Sequence, residues 1–132
     1  MKKKIPAYTL NELLVVLIII GILILLALPA LMPLISKAKA TEAKLQLAHL
    51  HTLEKTYFYT YSKYTDDMEA LGFEQEKLVT EGGQANYLIE IIQVNATRYK
   101  ARATAVVDFD ADGNFNVWEI DDEKKLREVT KD

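Results

Sequence analysis

KKKIPAYTLNELLVVLIIIGILILLALPALMPLI, residues Lys2 to Ile35, opens on three lysines and passes one carboxylate, Glu12. It then runs from Leu13 to Ile35, 23 residues, without a charged or polar side chain. At 1.5 Å per residue a helix of that length is about 34 Å long, enough to cross a hydrocarbon core of about 30 Å. Seventeen of the residues are Leu, Ile or Val. Together they favour insertion by something on the order of 5 to 10 kcal/mol, against at most about 3 kcal/mol for one acid near the end. Lys2, Lys3 and Lys4 would hold the N-terminus in the cytoplasm and send the rest outward.

Ordinary export signals fit poorly. A cleaved secretory signal has an apolar core of roughly 7 to 15 residues and a small-residue cleavage site, whereas Ala27 and Ala30 sit among prolines and leucines. A lipoprotein signal needs a cysteine, and the chain has none. A plain signal anchor fits the hydropathy but leaves Glu12 without a role. Gly21 permits close helix contact, although no second glycine follows four residues on. Pro29 and Pro33 each remove a backbone donor, so a helix there is expected to bend or loosen.

The string Ala7-Tyr8-Thr9-Leu10-Asn11-Glu12-Leu13-Leu14 resembles the prepilin-type cleavage and methylation motif of type IV pilins and type II secretion pseudopilins. It departs from that motif in Ala7 for Gly, Tyr8 for Phe and Asn11 for an apolar residue. The resemblance implies a cut between Ala7 and Tyr8 by a membrane prepilin peptidase, with N-methylation of Tyr8. Glu12 is then fifth in the cut chain, and Pro29 falls where the family often kinks its stem. Staggered helices in a filament would set Glu12 of one subunit against the Tyr8 amine of another. Such pairing would relieve the cost of an unpaired charge in hydrocarbon.

The implied fold is α+β: a long N-terminal transmembrane-plus-amphipathic helix packed on a small antiparallel β-meander head, a pilin-like lollipop. The expected segments are leader 1–7, hydrophobic polymerisation helix 8–35, amphipathic continuation 36–61, and connecting region with sheet 62–132. The implied partners are identical or related pilin subunits, the prepilin peptidase, an inner-membrane assembly platform, and membrane lipid before assembly. The implied location is the bacterial inner membrane, single-pass with the head exported, and then a periplasmic or extracellular filament. The rival reading is an uncleaved single-pass protein whose exported head binds calcium or another partner.

The 132 residues leave room for one small head, and a head without cysteines needs a metal, its own stem or its neighbours for support. The formal charge is -3, and Asp108 to Asp132 holds nine Asp/Glu against four Lys/Arg. That balance disfavours nucleic acid as a partner. No nucleophile and base set, phosphate loop or redox motif is present, so no enzymatic activity is expected.

From Ser36 to Tyr61 the character changes. Ala40, Ala43, Leu47, Leu50, Leu53 and Tyr57 recur at helical steps, a stripe that faces the head. His49 and His51 point apart on a helix and are expected at the surface or boundary. Tyr57, Phe58, Tyr59, Tyr61 and Tyr64 form an aromatic cluster expected to pack between helix and sheet or between subunits. Asp66 to Gly72 reads as a short capped helical turn. Strands are expected at 86–94, 98–107 and 114–120, with the basic stripe Arg98, Lys100 and Arg102 facing an acidic neighbouring strand.

Between the second and third of these strands, DFDADGNFNVWE (Asp108 to Glu119) fits a calcium-loop pattern. Asp108, Asp110 and Asp112 are the first ligands, Asn114 and Glu119 complete the candidate set, and calcium is the candidate cofactor. The flanking β pattern argues against a helix-loop-helix hand, and strand pairing could carry Glu119 away. Asp112-Gly113 is also a strong hairpin turn by itself. G-type pseudopilins hold calcium near the end of their heads, and the acidic loop matches them in region; the head is similar to theirs and to those of small pilins.

Overall fold

The computed structural model describes residues 7–132; the leader lysines lie outside them. Helix α1 (Leu10–Tyr61) spans 52 residues. After it come a one-turn helix α2 (Met68–Leu71), a 3-10 turn (Val79–Glu81), and strands β1 (Tyr87–Val94), β2 (Tyr99–Ala105), β3 (Val117–Asp121) and β4 (Leu126–Thr130). The strands form one antiparallel sheet in the order β1-β2-β3-β4. The chain divides into two compact units between Leu34 and Ile35. The layout is α+β, a long apolar N-terminal helix followed by a small four-stranded sheet.

In the first unit α1 carries no amphipathic stripe, and every described residue, Ala7 to Leu34, is exposed. The expected loosening at Pro29 and Pro33 does not interrupt the helix, which runs through both. Each proline removes one donor from a ladder whose other bonds remain, and the intervening Ala30, Leu31 and Met32 are strong helix formers.

In the second unit the stripe meets the sheet as its spacing requires. Ala43, Leu47 and Leu50 are fully buried, with Leu53 and Tyr57 at the margin. Against them lie Tyr87 and Ile89 of β1, Tyr99, Ala101, Ala103 and Ala105 of β2, and Ile120 of β3. Alternation along β2 buries every second residue, and three of those four are alanines, so the helix side chains have room to seat. Tyr64, Leu71 and Phe73 of the connecting segment close the open side of this core.

Local caps place that segment. Asp67, one residue later than expected, caps α2: its Oδ1 accepts from the Glu69 and Ala70 amides at 3.1 and 3.2 Å. Gly72 ends the helix in a left-handed conformation, φ 76°. Asn95 Oδ1 organises the β1–β2 turn, accepting from the Thr97 and Arg98 amides, and Asp121 Oδ1 does the same after β3.

Three expectations need correction. β3 starts at Val117, leaving Phe115 outside the sheet and 44% exposed. β4, whose residues 126–129 are all exposed, was not expected from the sequence, because an edge strand that buries nothing shows no alternation. His51 is buried rather than at the boundary: it stands four residues after Leu47 on the same face, and its Nδ1 is hydrogen-bonded to the Tyr99 hydroxyl. The aromatic cluster divides. Tyr64 stacks on Phe58 at 4.7 Å and meets Tyr99 at 5.0 Å, while Tyr59 and Tyr61 stay exposed.

Gly83 is fixed by close approach, since a Cβ there would lie 2.0 Å from the Lys77 carbonyl oxygen. Gly83→Ala is expected to destabilise the head by about 1 to 3 kcal/mol. Chemical denaturation of the micelle-embedded chain, followed by the fluorescence of its one tryptophan, Trp118, measures this; an unchanged midpoint contradicts the packing argument.

Candidate functional site

Two groups of candidate residues stand far apart in the sequence, one at the start of α1 and one after β2. Ala7 and Tyr8 precede the helix and are exposed. Thr9 is its N-cap and Glu12 sits in its first turn. Their exchange is reciprocal: the Thr9 amide donates to Glu12 Oε2 at 2.9 Å, and the Glu12 amide donates to Thr9 Oγ1 at 3.3 Å. This is a capping box, which satisfies two of the donors that every helix start leaves free. The helix dipole also favours a carboxylate at that end. The T-x-x-E spacing of Thr9 and Glu12 is the sequence signature of this cap.

Glu12 uses Oε2 within its own chain. A carboxylate has about four lone-pair sites, so it retains capacity for a further donor. Below it, Leu13 to Ile35 presents apolar side chains in every direction, and Pro29 lies within that exposed stretch.

The second group is the loop between β2 and β3. Aspartates fold it by accepting from nearby amides: Gly113 donates to Asp108 Oδ2 at 2.7 Å, Asp112 to Asp110 Oδ1 at 3.0 Å, and Asn114 to Asp112 Oδ1 at 2.7 Å. Gly113 takes φ 90°, a left-handed conformation natural to glycine. Ligand atoms of Asp108, Asp110, Asp112 and Asp132 all lie within 4.8 Å of one another. Asp108 Oδ1 is buried without a hydrogen-bond partner.

The structure therefore brings together the first three aspartates of the candidate set and adds Asp132. β4 runs back along β3, with Val117 opposite Thr130, and so returns Asp132 to the loop. There its carboxylate accepts from the Phe109 and Asp110 amides at 2.9 and 3.1 Å. Only recognition of β4 would have revealed Asp132 in the sequence. Asn114 remains in the turn, its side-chain amide donating to Asp112 Oδ2 at 3.2 Å.

Glu119 does not join the cluster. It lies in β3 opposite Arg102, because an extended strand carries it away from the loop instead of folding it back as a helix would. Arg102 holds its Oε1 at 2.6 Å and Arg127 its Oε2 at 3.2 Å. Burial pushes this carboxyl up, but the hydrogen bonds from the two arginines outweigh that and leave it below its usual value. Arg98 pairs with Asp122 and Glu123, so the basic stripe faces an acidic partner as the sequence suggested.

Charge crowding marks the loop. Partial desolvation, a hydrogen bond with Asp132 and the charges of Asp112 and Asp132 hold Asp110 above its ordinary value, against the pull of the Asp112 amide. Asp112 is held below its own by the backbone and side chain of Asn114.

No family model matches the chain. Over 70 residues it is 37% identical to the Type IV major pilin protein PilA of Myxococcus xanthus (strain DK1622). The match covers 53% of this chain and 32% of that protein, so the chain spans about a third of its relative's length. The likeness agrees with the pilin-like layout of a long apolar N-terminal helix and a small sheet.

Thr9→Ala removes one half of the capping box and is expected to cost the helix start about 0.5 to 2 kcal/mol. Amide exchange in micelles should then speed up at Glu12 and Leu13 relative to Ala43. Equal protection in both proteins refutes the cap.

Proposed function

We propose that this chain is a structural subunit of a type IV pilus-like filament, assembled through its N-terminal helix and without enzymatic activity of its own. The observation that carries the reading is a helix with 23 apolar residues exposed on all sides beneath a single carboxylate in its first turn. The pilin likeness supports it. Such a surface is stable only in lipid or among like helices, and a filament subunit meets both in succession.

In this reading the leader is cut between Ala7 and Tyr8, Tyr8 is methylated, and the assembly platform extracts the helix from the inner membrane. A secretion pseudopilus would use the same parts. Glu12 then has two tasks: it caps its own helix, and it accepts the amine of a neighbouring Tyr8. The uncleaved single-pass protein with an exported interaction head stands against this. Mass analysis of the membrane-extracted chain is expected to find methylated Tyr8 at the N-terminus, and an intact leader would falsify the filament reading.

The two tasks of Glu12 separate by substitution, because glutamine serves in a capping box but carries no charge. Glu12→Gln is expected to keep the helix start protected yet fail to assemble, and Glu12→Ala to lose both. Normal filament yield from Glu12→Gln would remove the pairing role.

A second reading concerns the head. Asp108, Asp110, Asp112 and Asp132 supply the hard oxygen donors that suit calcium, and a cation there would neutralise crowded acids while tying β4 to the loop. Calcium is expected to raise the head's melting temperature and a chelator to lower it, with the response lost in Asp110→Asn/Asp132→Asn. A chelator-insensitive melt leaves the loop as a turn fastened by its own aspartates and Asp132.

A further inference from the structure

Glu54 is fully buried in the head. It faces inward from α1, one turn after His51. Its Oε2 accepts only the Thr65 amide, at 3.3 Å, and its Oε1 has no partner. The basic groups nearby are otherwise engaged. Lys55 on the same helix donates Nζ to the Tyr64 hydroxyl at 2.8 Å, and His51 is hydrogen-bonded to Tyr99. From the connecting segment Asp66 adds a like charge, and from the sheet the neighbour is Tyr99. Asp121 and Asp122, with Lys124 beyond them, act on the Tyr99–His51 pair. Among the described residues no lysine, arginine or histidine forms an ion pair with Glu54.

A carboxylate so placed has lost its water and gained no cation, and the inexpensive remedy is to keep its proton. We propose that Glu54 is a proton-operated latch: protonated, it lets the Tyr64–Asp67 turn stay packed on α1, and ionised, it drives that turn off. The turn is what the latch moves because, among the described residues, Thr65 alone holds the carboxyl, while Tyr64 fills the core between Phe58 and Tyr99. Release would expose these rings beside Tyr59 and Tyr61, on the surface where α1 ends.

The pH window follows from linkage. Burial pushes the carboxyl from 4.5 up to about 7, with the Thr65 amide opposing and Asp66 adding. A group raised in the folded state stabilises fully below its unfolded value and loses that contribution as pH rises through the folded one. Head stability should therefore fall between about pH 5 and pH 8. His51 works in the opposite sense. Burial, then the charges of Lys55 and Lys124, lower it, so its contribution is lost as pH falls.

The test uses the full chain in detergent micelles, with melting temperature and the Thr65 amide protection factor recorded from pH 5 to pH 9. The wild type is expected to lose at least roughly 5 °C over that range, and Thr65 protection should drop at least about tenfold. Glu54→Gln should show neither change. Glu54→Leu, neutral and apolar, stands in if the glutamine variant fails to fold, with the same flat profile expected. An equal slope in the neutral variants, or Thr65 protection independent of pH in the wild type, overturns the latch. A carboxyl-carbon NMR titration placing Glu54 below pH 5 does so as well.

Discussion

A helix that shows hydrocarbon on every side cannot be left facing water, and that constraint governs the rest of the molecule. Burying one Leu, Ile or Val side chain is worth about 1.5 to 3 kcal/mol. Seventeen such residues between Leu13 and Ile35 therefore amount to some tens of kcal/mol, more than a small domain's whole stability. A sheet laid on one face would cover only part of that surface. The cover has to surround the helix, as lipid or a ring of similar helices does. No charged stripe breaks the surface, and the capping box at Thr9 and Glu12 satisfies the backbone at its start. The helix end is thus prepared for a place where water cannot supply the missing bonds.

The same helix is differently composed where it meets the sheet. Past Ser36, small and large apolar residues alternate with lysines and glutamates, and one side buries against the alanine face of β2. Polar bonds fix how the two are joined. Glu42 accepts from the backbone and side chain of Asn86 at 2.8 and 2.9 Å, tying α1 to the start of β1. Asn116 accepts from Tyr87 and Trp118 and donates to Glu128 and the Thr130 carbonyl. A head without disulfides gains its closure this way: one asparagine binds the core to β4, and Asp132 binds the end of β4 to the loop.

How much of this was readable depended on whether burial left a periodic mark. The stripe on α1 and the alternation of β2 carry such marks; the membrane-length run and the acidic loop carry none and were legible through composition and residue spacing instead. β4 carries none, since its pairing is through the backbone and its side chains face solvent. With it went Asp132, whose place depends on that strand, and the true company of Glu119. His51 and Glu54 were missed for another reason. Each sits on the buried face of an amphipathic helix, and a polar residue there is invisible to hydrophobic periodicity unless its partner is known. Tyr99, that partner for His51, is 48 residues away.

Two carboxylates of this head are almost wholly buried, and the contrast between them decides what each can do. Glu119 is held by two arginines from the strands on either side, one to each oxygen, so its charge is compensated and it stays ionised while binding β2, β3 and β4 together. Removing both arginines would strand the charge, which is why such groupings act as fixed structure. Glu54 has one backbone amide and an idle oxygen. Nothing nearby compensates its ionised form, so its protonation state and its packing are a single equilibrium. The first carboxylate is indifferent to mild changes of pH because its counter-charges are built in. The second is sensitive because its only available counter-charge is the proton itself.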